Sequence, residues 1–385
     1  MTYPKQITGC LGHKSLCTLR MVVMVIVTGI SVTTSAQVAP AKIDALFSQF
    51  SSQREPGCAV LVIKDGKPVF RKGYGVTDLR TMHAIGPETN FRLASLSKQF
   101  TATAIMLLVH DGKLKYEDRL TDVFPDFPGY GKAITIRQML NHTSGLKDYE
   151  DLMGKLFDGA EGNPLQIKDA GVYDLLKRQT STKFPPGTRW DYSNTGYVLL
   201  GIVVEKKSGM SFRDFLRKRI FDPLGMNNTL AYERDINEVT NRAYGHTRTG
   251  GKWRETDQSS TSATLGDGGI YTSLDDLEKW DRGLSQHTLL TEAEMAPALK
   301  PPATANNLPL QMPNDALAPL YGFGWFLDPY QGHRRYAHYG ETIGFRTAIQ
   351  RFPDDGLAVV VLCNRSETDA PALAESVAKL YLSSK

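Results

Sequence analysis

Residues 91–109 read FRLASLSKQFTATAIMLLV. Two serines and a lysine, Ser95, Ser97 and Lys98, stand directly ahead of an apolar run. A core helix usually keeps such polar groups off its buried turns, so two readings compete. In the plain one, Ser95 caps the helix and Lys98 snorkels to water. In the other, a spacing of three puts Ser95 and Lys98 on one helical face, with Ser97 turned elsewhere. Ser95 in the first turn would then sit at the positive end of the helix dipole, where free N–H groups favour developing negative charge. A serine hydroxyl is a poor nucleophile until a base removes its proton. A lysine in a dry pocket loses enough basicity to act as that base. The quartet alone does not separate the two readings.

The flanking sequence sets the frame. AKIDALFSQFSSQ reads as an amphipathic opening helix with Ile43, Leu46, Phe47 and Phe50 on one face. GCAVLVIKDGKPVFRKGYG reads as a hairpin about Asp65-Gly66, a strong turn pair. Gly112 ends the helix that carries Lys98. From 115 to about 290 the character changes, with helices expected over 171–179, 196–207 and 211–220 between Pro/Gly turns. Ser211 with Asp214, and Ser273 with Asp276, start helices as capping-box variants. After about 320 four strands are expected, YGFGWFLD, RRYAHYG, GFRTAIQRF and LAVVVLCN, closed by the helix ALAESVAKLYL. Strands at both ends of the sequence predict one mainly antiparallel sheet completed by the C-terminus and flanked by helices. The expected fold is two-lobed α/β. Residues 40–114 and 290–385 form the α/β lobe, an inserted all-α lobe spans about 115–289, and the site lies in the cleft between them.

Composition narrows the function classes. Apolar residues make up 41% and charged residues 22% of 385, which places the chain among globular proteins. MVVMVIVTGI, at 21–30, is an uncharged apolar run behind Lys5, Lys14 and Arg20, and SVTTSAQ follows it. The run is too short to span a bilayer, and Thr34 with Ala36 suits a small-x-small cleavage site. Residues 1–36 therefore read as a signal peptide, with an uncleaved anchor left open, and 37–385 as a single exported domain, periplasmic or extracellular. Those 36 residues carry three Lys/Arg and no Asp/Glu, so their removal takes the net charge from +4 to +1. No basic stripe invites nucleic acid. Cys58 and Cys363 remain after cleavage, too few for a disulfide framework or a metal knuckle. The histidines show no paired ligand spacing, and neither a metal nor a cofactor is expected.

Two further segments join Ser95 and Lys98. WDYSNTGY holds Tyr192 and Asn194, and on its own reads equally as a polar turn before a helix. HYGETIGF holds His338 and Gly340, and on its own reads as a hairpin turn between ordinary strands. Taken in order, Ser95-Leu96-Ser97-Lys98, Tyr192-Ser193-Asn194 and His338-Tyr339-Gly340 resemble the S-x-x-K, Y-x-N and K-T-G or H-x-G motifs of the serine β-lactamase and penicillin-binding superfamily. The resemblance is to its class C β-lactamase, D-Ala-D-Ala carboxypeptidase and esterase branch. NHTSGL at 141–146, FPPGTRWDYSNTGYVLLG at 184–201 and GDGGIYTSLDDLEKW at 266–280 add to it, and it runs from about 40 to 383.

The resemblance implies a β-lactamase/transpeptidase-like fold and an acyl-enzyme on Ser95. Lys98 and Tyr192 would share the proton transfer, Asn194 would bond Lys98 and the substrate amide, and the N–H groups of Ser95 and Glu341 would form the oxyanion hole. Gly340 and Gly344 would let the strand approach a substrate closely. Two departures stand out. Tyr339 replaces the usual threonine, and His338 replaces lysine, making a fixed charge pH-dependent. Arg346 could supply the missing cation or be an ordinary strand residue. No E-x-x-L-N segment is present. The expectation is a secreted serine hydrolase of small esters, amides or D-amino-acid peptides, peptidoglycan-derived ones included. Esterase or D-Ala-type carboxypeptidase stands ahead of a class C-like β-lactamase, and a non-catalytic peptidoglycan-binding or filament-forming relative is the alternative from another class. No stable membrane span is expected after cleavage. The resemblance also implies that the strands carrying Cys58 and Cys363 pair, with two buried thiols favoured over a disulfide.

Overall fold

The hairpin about Asp65-Gly66 forms as β1 (Cys58–Lys64) and β2 (Lys67–Tyr74). Asp65 and Gly66 have φ of 51° and 74°, the doubly left-handed turn that matches the twist of the strands. The computed structural model describes residues 38–154, 165–303 and 307–383, with Gly9 and Gly12, so the expected leader lies outside the described residues apart from those two glycines. Further strands follow in chain order. Four are short: β3 (Phe91–Arg92), β4 (Leu230–Ala231), β5 (His246–Thr249) and β6 (Lys252–Glu255). The rest are β7 (Ile270–Thr272), β8 (Tyr336–Thr342), β9 (Phe345–Phe352) and β10 (Leu357–Cys363).

The main sheet has the order β2-β1-β10-β9-β8, antiparallel throughout, so the C-terminal strands complete the N-terminal hairpin as expected. β1 and β10 are central and apolar at nearly every position because both faces are covered. Ala59, Leu61 and Ile63 face one core, shared with the helix Lys98–His110. Cys58, Val60 and Val62 face a second core built from Ile43, Phe47, Ala374 and Val377 of the terminal segments. The helix Lys98–His110 is buried from Lys98 to Leu108, which explains why it shows no amphipathic stripe. Leu61→Ala should cost roughly 2–5 kcal/mol.

Four expectations need correction. YGFGWFLD is not a strand: Tyr321 bridges Phe326, and Phe326 bridges Ala337 against the edge of β8, but no ladder forms. Gly322 and Gly324 break it, since the former presses on the Ala298 carbonyl and the latter has φ of 75°. The middle segment is helical in Asp169–Lys177, Asn194–Ser208 and Leu274–Ser285, yet it also holds β4 to β7, so it is not all-α. The helix expected over 211–220 ends its α-helical part at Leu216 and continues as a π turn, Arg217–Phe221. Lastly, Cys58 and Cys363 are cross-strand partners joined by a disulfide, not two thiols. Among the described residues, no helix is long and apolar enough to cross a membrane.

Candidate active site

Ala94 has φ of 51°, a conformation that L side chains rarely adopt. It swings the chain out of β3 into a 3₁₀ turn, Ala94–Ser97, and the α-helix begins only at Lys98. Ser95 therefore stands in the turn ahead of the α-helix, not in its first turn. Lys98 nevertheless meets it, with Nζ 3.1 Å from Ser95 Oγ. Ser97 is buried and turned away, and its Oγ accepts the Ile270 N–H at 3.2 Å.

Lys98 is fully buried, and its Nζ has two carbonyl acceptors besides Ser95: Asn194 Oδ1 at 2.8 Å and the Asp267 main-chain oxygen at 3.0 Å. A neutral amine has two N–H bonds, and those two acceptors take both. Its lone pair is then left for the Ser95 hydroxyl. Burial lowers the Lys98 pKa to about 8, while the carboxylates of Asp267, Asp148 and Glu150 hold it from falling further. A sizeable neutral fraction thus exists at mildly alkaline pH.

Tyr192 lies with its ring centroid 4.9 Å from Lys98 Nζ. Desolvation lifts its phenol well above the ordinary value, outweighing a hydrogen bond with Ser95 that favours ionisation. Tyr192 is therefore a neutral phenol beside Ser95, and of the two groups Lys98 loses its proton more readily. Asn194 opens the helix Asn194–Ser208, whose N-cap Ser193 accepts the Gly196 N–H at 3.2 Å. Its Nδ2 donates to Glu150 Oε1 at 3.1 Å and its N–H to Asp148 Oδ2 at 2.9 Å.

The β8 residues arrive differently from expectation. His338 is 1% exposed, and its Nδ1 lies 2.7 Å from the Tyr339 carbonyl, which can only accept. Nδ1 therefore carries the proton, and Nε2 accepts from the Tyr321 hydroxyl at 3.0 Å. Burial, and then the nearby Lys98 charge, push the His338 pKa down to about 3. The pH-dependent cation is absent; this ring stays neutral. Tyr339 is 48% exposed and stacks on Phe326 at 5.3 Å, so it forms an aromatic ledge. Gly340 is needed against the protein itself: a Cβ there would lie 2.0 Å from the Leu93 carbonyl oxygen. Gly344 likewise abuts Gly245, at 2.6 Å. Ala337 turns its N–H and C=O to Phe326 and away from β9, and alternation turns those of Glu341 to the same open edge. That suits Glu341 N–H to an oxyanion. Arg346 is spoken for, with an ion pair to Glu341 at 2.7 Å and donations to the Thr342 and Phe345 carbonyls at 2.8 Å.

Sequence reasoning missed the carboxylates. Asp148, Glu150 and Asp267 surround Lys98, and burial first, then their mutual repulsion, raises Asp148 and Glu150 above the usual range. Asp267 lies in the quoted GDGGIY phrase, but nothing in DYED marks Glu150. Among the described residues, no three His, Cys, Asp or Glu side chains gather as a metal site would need.

Residues 43–382 match the β-lactamase family. The chain belongs to that family. Penicillin-binding protein 4* of Bacillus subtilis (strain 168) is 33% identical over 338 residues, covering 84% of this chain and 72% of that protein. A D-aminopeptidase of Brucella anthropi is 30% identical over 310 residues, which is 80% of this chain but only 56% of the aminopeptidase. The crystal structure of a penicillin-binding protein from Bacillus halodurans superposes with a TM-score of 0.73 at 26% identity, covering 88% of this chain and 100% of that one. This β-lactamase-family chain is a serine hydrolase with a fold of the penicillin-binding type.

Proposed function

We propose that the chain hydrolyses small amides, esters and D-amino-acid peptides through an acyl-enzyme on Ser95, and that it favours substrates with a free amine over those with a free carboxylate. Lys98 takes the Ser95 proton as Oγ attacks the carbonyl. Tyr192 donates its proton to the leaving nitrogen or oxygen and is reprotonated from Lys98. Water then attacks the acyl group with the roles reversed. The N–H groups of Ser95 and Glu341 hold the oxyanion, each such donor being worth roughly 3–4 kcal/mol.

One observation carries the substrate preference. Glu150 faces Asn194 and lies in the field of Lys98, while both cations expected to grip a carboxylate are unavailable: His338 is neutral and Arg346 is paired with Glu341. A negative rim with neither of those cations available repels a C-terminal carboxylate and attracts an ammonium. The D-aminopeptidase likeness supports the same direction, against the carboxypeptidase expectation. Export, with cleavage after Ala36, and access to peptidoglycan-derived peptides belong to the same proposal and rest on the apolar run at 21–30.

The test is a substrate panel on the purified mature chain: D-alanine p-nitroanilide, an acetylated D-Ala-D-Ala dipeptide, p-nitrophenyl acetate and a chromogenic cephalosporin. The expected order of kcat/KM places the ester first, the free-amine anilide next and the carboxylate dipeptide last. A dipeptide turned over faster than the anilide overturns the preference. Absence of turnover, and of labelling by a fluorophosphonate at Ser95, overturns the hydrolase itself.

A further inference from the structure

His142 lies in the NHTSGL phrase, is fully buried, and has φ of 62°. Its main-chain oxygen accepts the Asp191 N–H at 3.0 Å, and its Nδ1 accepts the Ser193 N–H at 3.1 Å. One residue thus holds the peptide groups on both sides of Tyr192. Its ring also packs against the phenol, with centroids 4.3 Å apart, and against Tyr321 at 4.5 Å. Tyr192 therefore sits between Lys98 Nζ and the His142 imidazole.

We propose that His142 is the positioning residue for Tyr192, gripping its flanking peptides and seating its ring so that the hydroxyl stays at Ser95. This rests on the reading of Tyr192 as the proton carrier. The tautomer follows from the Ser193 contact: Nδ1 accepts, so Nε2 carries the hydrogen, and that N–H is buried without a partner among the described residues. A buried unpaired donor costs stability, which an apolar ring would avoid. What an apolar ring lacks is the acceptor at Nδ1. Among the described residues the groups facing the imidazole are Lys98, the neutral His338 ring and the phenols of Tyr192, Tyr197 and Tyr321, with no carboxylate in contact, and burial, then the Lys98 charge, keeps it neutral.

The experiment compares the p-nitroanilide and the p-nitrophenyl ester of one acyl group, because p-nitrophenolate leaves without a proton and the anilide nitrogen does not. Tyr192→Phe should lower kcat/KM, which reports acylation alone, by about 100-fold or more on the anilide and by less than about tenfold on the ester. His142→Gly tolerates the positive φ and keeps the main-chain oxygen but removes the Nδ1 acceptor and the ring. It should show the same split in kcat/KM, about 30-fold against about threefold. The double variant should be no worse than Tyr192→Phe alone, to within about threefold. His142→Asn places Oδ1 near Nδ1 and accepts a left-handed backbone, so it should recover most of the anilide rate. Equal losses on anilide and ester in His142→Gly, or multiplicative loss in the double variant, overturn the proposal. Equal losses in Tyr192→Phe overturn it together with the role of Tyr192. If His142→Gly does not fold, nitrogen NMR of the wild-type chain decides: His142 should hold its proton on Nε2 and not titrate between about pH 5 and 9. A proton on Nδ1, or titration in that range, overturns the proposal.

Discussion

Lys98 and His338 are two buried basic side chains of one site, and they end in opposite states. Both lose basicity by burial, but Lys98 keeps a pKa near about 8 because Asp267, Asp148 and Glu150 surround it. Among the described residues no carboxylate supports His338, and burial, then the Lys98 charge, takes it down to about 3. The difference teaches that a motif residue's chemistry is set by what the fold packs around it. Lys98 is left able to shed its proton at mildly alkaline pH, whereas His338 is a neutral hydrogen-bonding brace for Tyr321.

The largest expected effect tests the nucleophile that Lys98 serves. Ser95→Ala should abolish fluorophosphonate labelling and cut hydrolysis at least about a thousandfold. Ser97→Ala should keep labelling but lose roughly 1–3 kcal/mol of stability, since it leaves the Ile270 N–H unpaired. Matching loss of labelling in a folded Ser97→Ala protein would sink the assignment.

The comparison itself is sharpened by pH. Lys98 works as a base only when deprotonated, so kcat/KM on a neutral ester should rise about tenfold per unit toward pH about 8 and then level off. No second inflection should appear near ~6.5, the ordinary histidine value. An inflection there that vanishes in His338→Asn would break the contrast and return charge to β8. Lys98→Met should flatten the rise and cost about 100- to 10,000-fold.

Glu150→Gln probes the carboxylates. Removing that charge should shift the rise to lower pH, because Glu150 helps hold the Lys98 pKa up. On the plateau, kcat/KM for a free-amine anilide should fall about tenfold while a neutral ester changes by less than about twofold. Equal changes on both would deny Glu150 a part in substrate choice. The smallest effect is expected from Arg346→Ala. Its ion pair with the exposed Glu341 is worth at most about 1 kcal/mol, so rates on all substrates should stay within about threefold. A selective loss on the carboxylate dipeptide would show that Arg346 does reach substrate.

Much of the fold was legible because its strands are short apolar runs between turn residues. The Asp65-Gly66 hairpin could be placed by residue type alone, and the apolar β10 reads plainly in LAVVVLCN. YGFGWFLD misled for the opposite reason: its aromatic alternation imitates a strand, but Gly322 and Gly324 serve close packing and a left-handed turn. The short β4 to β7 left no periodicity to read, being two to four residues each. The disulfide escaped because residue identity does not say whether paired cysteines are oxidised.

In the site, the sequence by itself picked out Ser95, Lys98, Tyr192 and Asn194 as candidates, because a spacing of three and a short motif carry those positions, and the fold brings the four together. Only the tertiary structure decided the charges. Ser95 and Lys98 are three residues apart, but Asp148, Asn194 and Asp267 come from segments 50 to 169 residues distant, and their distances to Lys98 exist only once the chain is folded. The same holds for His338, whose neutrality comes from burial and then from the Lys98 charge, and for His142, whose grip on Tyr192 spans about 50 residues. Desolvation and Coulomb energy are properties of three-dimensional surroundings, so a sequence names the titrating groups and the fold sets their charge.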